Sequence, residues 1–152
     1  MARRAGRPVA RVAAFWDSSA LVPLCVRQPL TEAAIELYKR YEVIVWWATS
    51  VEIASALARL VRVGQLDPKQ WMEAQKLALT LAGEWSVVQP SDSLRANAMR
   101  LVDRYDLRAA DSLQLAAALA WCENVPQGRV FLTADQRLRE AAALHGFDGK
   151  PI

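Results

Sequence analysis

The sequence contains, at residues 108–121, the stretch RAADSLQLAAALAW. Ala, Leu and Gln are strong helix formers and neither Gly nor Pro interrupts the run, which therefore predicts a helix. No residue from Ser112 to Cys122 is charged, and a helix that is apolar on every side is normally buried. Asp111 lies at its beginning, where a carboxylate beside a buried element has to be solvated, hydrogen-bonded or bound to a cation. Asp111 therefore either caps the helix or faces a polar pocket.

Around this stretch the composition is that of a globular protein. The chain has 152 residues, of which 53% are hydrophobic, and this is enough for one domain with a sizeable core. The uncharged runs are too short to span a bilayer and nothing resembles a secretory signal. Cys25 and Cys122 lack the spacing of a metal or redox site, so we interpret them as reduced core residues. The predicted location is the cytoplasm.

The charge pattern divides the chain into two parts. Residues 1–10 include three arginines with Gly6 and Pro8 and predict a flexible basic N-terminal arm. Residues 11–152 contain no repeat, low-complexity tract or linker, and we predict that they form a single domain. The net charge of +3 permits a nucleic-acid partner without requiring one.

Short apolar runs alternate with helical segments along the domain. Strands are predicted at 12–16, 43–47, 85–88 and 128–132, with a brief final strand within 147–152. Helices are predicted at 18–26, 30–41, 49–63, 67–82, 91–104, 108–122 and 134–144. This alternation predicts an α/β fold with three layers, in which helices cover both faces of a short-stranded, mainly parallel central sheet.

Four acidic residues occupy equivalent places in this pattern. Asp17 follows the first strand, Glu52 and Asp111 lie in the first turns of helices, and Asp135 opens the last helix. Each has an ordinary structural explanation, because acids favour helix N-termini and cap them. Glu52 in particular ends the sequence Thr49-Ser50-Val51-Glu52, which has the pattern of a capping box.

Considered together, the acids favour a metal site. The carboxyl ends of parallel strands lie along one edge of a sheet, where ligands bind. Four carboxylates in one cleft repel one another, and a divalent cation relieves that repulsion. An all-carboxylate set favours Mg²⁺ or Mn²⁺, and such ions activate water for phosphodiester hydrolysis. The arginines that are candidates for holding a polyanionic substrate are Arg27, Arg59, Arg95, Arg104, Arg108, Arg137 and Arg139.

Four motifs carry a family resemblance. The segments are FWDSSAL at residues 15–21, EIASAL at 52–57, DSLQLAAA at 111–118 and FLTAD at 131–135. In this order and spacing they resemble the acidic motifs of PIN-domain nucleases, and the small size of the chain is most similar to that of the VapC-type toxins of toxin–antitoxin pairs.

The resemblance implies a PIN-like domain with Mg²⁺- or Mn²⁺-dependent endoribonuclease activity. It also implies a homodimer and a small antitoxin partner. By motif, the metal-site and catalytic acids are Asp17, Glu52, Asp111 and Asp135. Ser19 and Thr133 are implied as supporting polar groups, although both also suit helix-start caps.

Two other classes of function remain open. One is a non-catalytic module on the same fold that binds nucleic acid or protein, and it is disfavoured because all four acids are present. The other is a phosphoacceptor or nucleotide-binding domain that uses Asp17. No glycine-rich loop follows the first strand, and the lysines lie in predicted helices or the tail, which disfavours this class.

Overall fold

The computed structural model describes residues 10–152. The predicted basic arm, residues 1–10, lies outside the described residues except for Ala10, and the division into an arm and one domain stays a prediction. In chain order the elements are β1 (Val12–Trp16), α1 (Ser18–Cys25), α2 (Thr31–Arg40), β2 (Tyr41–Trp46), α3 (Thr49–Arg62), α4 (Pro68–Ala82), β3 (Ser86–Val88), α5 (Asp92–Tyr105), α6 (Ala109–Trp121), β4 (Val130–Leu132), α7 (Gln136–His145) and β5 (Asp148–Lys150).

The five strands form one sheet in the order β3-β2-β1-β4-β5. Every neighbouring pair is parallel, so the sheet of residues 10–152 is wholly rather than mainly parallel. β2 lies on one side of β1 and β4 on the other, which makes the carboxyl end of β1 a topological switch point. In open α/β sheets the crevice for a ligand lies at such a point.

The alternation of side chains along the strands separates two apolar layers. Phe15 and Phe131 belong to the layer under α5, α6 and α7. Trp16 and Leu132, the next residues along their strands, belong to the opposite layer under α1, α3 and α4. Successive strand residues point to opposite faces, and both faces are covered here. The predicted three-layer α/β/α architecture is therefore confirmed.

The helix α6 is buried as its sequence predicts. Leu115 and Ala117 are fully buried, and the helix packs most extensively against α5. The tryptophan pair after β2 is divided between core and surface, with Trp46 5% exposed and Trp47 55% exposed. Both cysteines are free and buried. Within residues 10–152, none of the helices has the length and hydropathy needed to cross a bilayer.

Candidate active site

Asp17 lies directly after β1, at the switch point, and is only 3% exposed. Its backbone N–H donates to the carbonyl of Leu132, 3.0 Å away, which fixes it beside the end of β4. Its Oδ2 accepts hydrogen bonds from the Ser19 backbone N–H at 3.3 Å, from the Ser19 hydroxyl, and from Thr133 Oγ1 at 2.9 Å. Asp17 is also the N-cap of α1, so capping and placement in the cleft occur together.

Ser19 and Thr133 connect the ends of β1 and β4. Thr133 is fully buried, and its Oγ1 accepts from the backbone N–H of Asp135 at 3.0 Å while it donates to Asp17. Ser19 Oγ accepts from the backbone N–H of Ala134 at 2.9 Å. The two predicted supporting residues therefore contact the buried acid and the chain segment that leads to the fourth acid.

Glu52 is held by residues of two other helices. Its Oε2 accepts from Ser18 Oγ at 2.7 Å and from Gln114 Nε2 at 3.0 Å. The capping-box interpretation of Thr49 and Glu52 is wrong, because α3 has Ala48 as its N-cap with no side-chain cap. Thr49 is the first helical residue, and its hydroxyl accepts from Gln114 at 3.3 Å.

Sequence reasoning did not single out Ser18 and Gln114 as functional residues. Ser18 Oγ lies 2.7 Å from Glu52 Oε2 and 3.4 Å from Asp17 Oδ1, so it stands between two acids. Gln114 is fully buried on α6, three residues after Asp111. For Gln114 the sequence did contain a signal. Gln114 is an uncharged polar residue three positions after Asp111, on the same side of the helix, and the other residues from 113 to 121 are apolar.

Asp111 and Asp135 are less enclosed than Asp17. Asp111 lies in the first turn of α6 and is half-buried. Asp135 caps α7, and its Oδ1 accepts from the backbone N–H of Leu138 at 2.9 Å. The capping explanation is therefore right for Asp135 as local geometry, while its charge also acts on Asp111.

The carboxylates influence one another electrostatically. Burial, with the neighbouring charges of Asp135 and Asp17, raises the pKa of Asp111 to about 6. Burial first, and then the charges of Asp17 and Asp111, raise the pKa of Glu52. Burial also raises the pKa of Asp17, against the opposing effect of its hydrogen bonds. The charges of these acids therefore act on one another in part: Asp17 on Glu52 and Asp111, Asp111 on Glu52, and Asp135 on Asp111. The region between the four acids is the candidate cleft.

No lysine or arginine forms an ion pair with these acids in the part of the chain that the structure describes. The ion pairs of residues 10–152 are Arg27–Glu32, Lys39–Glu36, Arg95–Asp92, Arg137–Asp106 and Lys150–Asp148. Arg108 and Arg137 are near enough to lower the pKa of Asp111 in part. Arg108 and Arg137 are therefore the two of the seven candidate arginines whose charges affect the pKa of Asp111.

This arrangement fits a hydrated divalent cation. The hydrogen bonds hold Asp17 mainly through Oδ2, with one long bond from Ser18 to Oδ1 at 3.4 Å, and hold Glu52 through Oε2. Over residues 10–152, no group of three or more His, Cys, Asp or Glu side chains is arranged so that it could hold a metal ion by itself. Mg²⁺ keeps several waters and is commonly bound through only one or two carboxylates, so any such ion here would keep waters as its remaining ligands.

Comparison with known proteins identifies the fold family. The sequence profile of the PIN domain matches residues 14–144. Among curated proteins, no sequence matches the chain.

Solved structures with the same fold are only distantly related in sequence. The crystal structure of PAE2754 from Pyrobaculum aerophilum is 20% identical, covers 92% of this chain and 89% of its own, and has a TM-score of 0.63. A toxin–antitoxin complex from Klebsiella pneumoniae is 14% identical, covers 92% and 100%, and has a TM-score of 0.62. FitAcB from Neisseria gonorrhoeae is 17% identical, covers 90% and 97%, and has a TM-score of 0.59. These structures share the fold, and the profile match over residues 14–144 shows that the chain belongs to the PIN domain family.

Proposed function

We propose that the protein is a Mg²⁺- or Mn²⁺-dependent endoribonuclease and the toxin of a type II toxin–antitoxin pair. The observation that carries this proposal is the set of acids Asp17, Glu52, Asp111 and Asp135, whose charges raise the pKa of Glu52 and of Asp111 and which form no ion pair with a lysine or arginine within residues 10–152. Such a site is costly to the folded protein unless a dication binds. We propose all four as the metal-site and catalytic residues.

The residues of the cleft suit hydrolysis of a phosphodiester. A dication held by these acids would supply a water of lowered pKa and would stabilise the leaving oxygen. Ser18, Ser19 and Thr133 orient the two most buried acids through the hydrogen bonds described above. Arg108 and Arg137 flank Asp111 and would bind the backbone phosphates of RNA, because a guanidinium binds phosphate in a bidentate manner.

The proposal is tested by cleavage of a fluorescent single-stranded RNA. We expect cleavage with Mg²⁺ or Mn²⁺, none in EDTA, and recovery when metal is added back. The variant Asp17→Asn/Asp111→Asn should be inactive. Cleavage that persists in the double variant would refute the assignment, and RNA binding without cleavage by the wild type would favour the non-catalytic module.

An antitoxin partner is proposed for an apolar groove between α3 and α4. Two of the similar structures are described as a toxin–antitoxin complex and as FitAcB, and this chain has a groove of about 210 Å³ in the corresponding fold. Its apolar lining is formed mainly by Ile53, Leu57, Ala78, Leu79, Ala82 and Trp85. An apolar segment of the antitoxin would enter this groove and cover Leu79, which is 75% exposed at its edge while Ile53 and Leu57 are buried at its base.

The antitoxin proposal is tested with two matched leucines. Leu79 at the groove and Leu144 on α7 are both 75% exposed. Leu79→Glu should cleave RNA but escape inhibition when co-expressed with a small protein encoded beside this one. Leu144→Glu should remain inhibited. Equal inhibition of both variants would reject the groove as the antitoxin site.

We also propose a cytoplasmic homodimer. On α5, Met99 is 68% exposed and Val102 is 37% exposed, which gives an apolar strip for a second copy. Sedimentation should give a dimer for the wild type and a monomer for Met99→Glu. Met72 on α4 is 65% exposed and Met72→Glu serves as the control that stays dimeric. A monomeric wild type would contradict the proposal.

A further inference from the structure

Gln114 is a buried polar residue in the predominantly apolar helix α6. It is fully buried on α6 between Leu113 and Leu115, where an apolar side chain would be the simpler choice. Its amide nitrogen Nε2 donates to Glu52 Oε2 at 3.0 Å and lies 3.3 Å from Thr49 Oγ1. These bonds join the helix that carries Asp111 to the helix that carries Glu52.

The amide of Gln114 has one orientation because of Glu52. If the amide were turned over, its oxygen would lie about 3.0 Å from a carboxylate oxygen, and the two negative atoms would repel. In the orientation present, the buried Gln114 Oε1 has no hydrogen-bond partner within residues 10–152. A buried acceptor without a partner is destabilising, so such a group calls for an explanation beyond packing.

Two donors meet at one oxygen of Glu52. Ser18 Oγ, 2.7 Å away, and Gln114 Nε2 both donate to Oε2. A carboxylate whose one oxygen is fixed in this way presents its second oxygen in a defined direction. Residues that hold a metal ligand in place commonly affect metal affinity although they do not touch the metal.

We propose that Gln114 is a positioning residue that fixes the Glu52 carboxylate through Oε2 and thereby leaves Oε1 to a divalent cation. The inference depends on the metal-dependent function proposed above. In this view the unpartnered Oε1 of Gln114 is accepted because the amide nitrogen, turned to Glu52, supplies a neutral donor to the carboxylate from α6.

The test measures Mn²⁺ binding without RNA, by electron paramagnetic resonance of the free ion. Gln114→Met keeps the length and the apolar stem of the side chain but removes the donor. We expect the Kd for Mn²⁺ to rise about tenfold, within the roughly 10- to 100-fold typical of such residues. Cleavage by the variant should recover to within a few-fold of wild type at saturating Mn²⁺, with an unchanged KM for RNA.

The control is Thr31→Val, remote from the acids. Thr31 is 7% exposed, and its hydroxyl donates to the backbone carbonyls of Pro23 and Val26. We expect this variant to lower the urea midpoint of unfolding but to bind Mn²⁺ as wild type does. Such a result would separate loss of stability from loss of metal affinity.

The outcomes distinguish the two proposals. If wild type fails to bind Mn²⁺, the proposed metal function itself is wrong. If wild type binds and Gln114→Met binds equally well, only the role of Gln114 is refuted. The two variants are also compared at equal loss of stability. If Gln114→Met then loses no more Mn²⁺ affinity than Thr31→Val does, Gln114 contributes only to stability and its positioning role is refuted.

Discussion

Asp17 and Asp111 lie in the same cleft but are held in different ways. Asp17 is 3% exposed and receives three hydrogen bonds at Oδ2, one from the backbone of Ser19 and two from hydroxyl groups. Asp111 is half-buried, and the leading influences on it are burial and the charges of neighbouring acids and arginines. One acid is therefore fixed by the framework, whereas the other is governed by the electrostatics of the cleft.

The difference follows from where each acid stands in the fold. Asp17 follows a central strand, so the ends of β1 and β4 and the start of α1 surround it. Asp111 occupies the first turn of α6, which follows another helix rather than a strand. We therefore expect the surroundings of Asp17 to be preformed and those of Asp111 to respond to pH and to bound charge.

The largest expected effect comes from neutralising either acid. Asp17→Asn and Asp111→Asn should each reduce RNA cleavage by more than the roughly 10- to 100-fold that losing a supporting residue costs. Their metal-free melting temperatures should both rise, and more for Asp17→Asn, because the more deeply buried charge is removed. An Asp17→Asn protein with full activity would contradict the catalytic role proposed for Asp17.

A second test removes hydrogen bonds that hold Asp17 in place. Thr133→Val removes the hydroxyl that donates to Asp17 and accepts from the Asp135 backbone. We expect a loss of about 1–3 kcal/mol in the free energy of unfolding, since buried groups lose partners, and an Mn²⁺ Kd raised about tenfold. Urea unfolding and Mn²⁺ titration measure the two effects, with Thr31→Val as the control for stability alone. Unchanged Mn²⁺ binding would show that Thr133 does not organise the site.

The electrostatic behaviour of Asp111 is tested by the pH dependence of stability in the absence of metal. The pKa of Asp111 is about 6 in the folded protein against an ordinary value of 3.8. Between these values the folded state binds more protons than the unfolded state, so this group makes stability fall as pH rises. Asp111→Asn should therefore gain stability over wild type at pH 7 more than at low pH, by urea unfolding in EDTA. The exposed Asp103 provides the control Asp103→Asn, and equal slopes for both variants would contradict the prediction.

The smallest expected effect is on RNA binding and comes from Arg137, whose positive charge lowers the pKa of Asp111. Arg137 is 63% exposed and lies 3.9 Å from Asp106. If it binds an RNA phosphate, Arg137→Gln should weaken RNA binding uniformly across sequences and reduce the salt slope by about 1. Fluorescence anisotropy in an Asp17→Asn background measures this without cleavage. Arg62→Gln, at the last residue of α3, should leave the salt slope unchanged. If both variants reduce the slope equally, the effect comes from net charge and not from a contact of Arg137 with RNA.

The elements were predictable because local patterns dominate them. The apolar stretch at residues 108–121 predicts a buried helix, and α6 spans Ala109–Trp121. The Asp67-Pro68 pair predicts the start of the helix at 67–82, and α4 begins there with Asp67 as its N-cap and Pro68 in its first turn; the capping box that Gln70 completes is an addition that the structure shows. Errors concern details that depend on neighbours. At Glu52 the capping-box pattern is present in the sequence, but the helix starts one residue too early for it, and Ser18 and Gln114 bind the carboxylate instead.

The site was only partly predictable. The four acids could be selected because each follows a strand or opens a helix, and these positions share one edge of a parallel sheet. Their assignment as metal ligands stays a prediction. The depth of Asp17, the bridge of Ser18 between two acids and the link from Gln114 to Glu52 were not predictable, since they join residues that are distant in sequence.

The sequence by itself determined the order of helices and short apolar strands, the α/β class and the candidate acids, because these depend on periodicity and on residue type at element ends. Only the tertiary structure decided which carboxylate is buried, which is held by hydrogen bonds and which arginines approach the cleft. The reason is that burial and hydrogen bonding are properties of the packed neighbours of a side chain. Those neighbours come from β1, β4, α3 and α6, segments that meet only when the sheet is assembled.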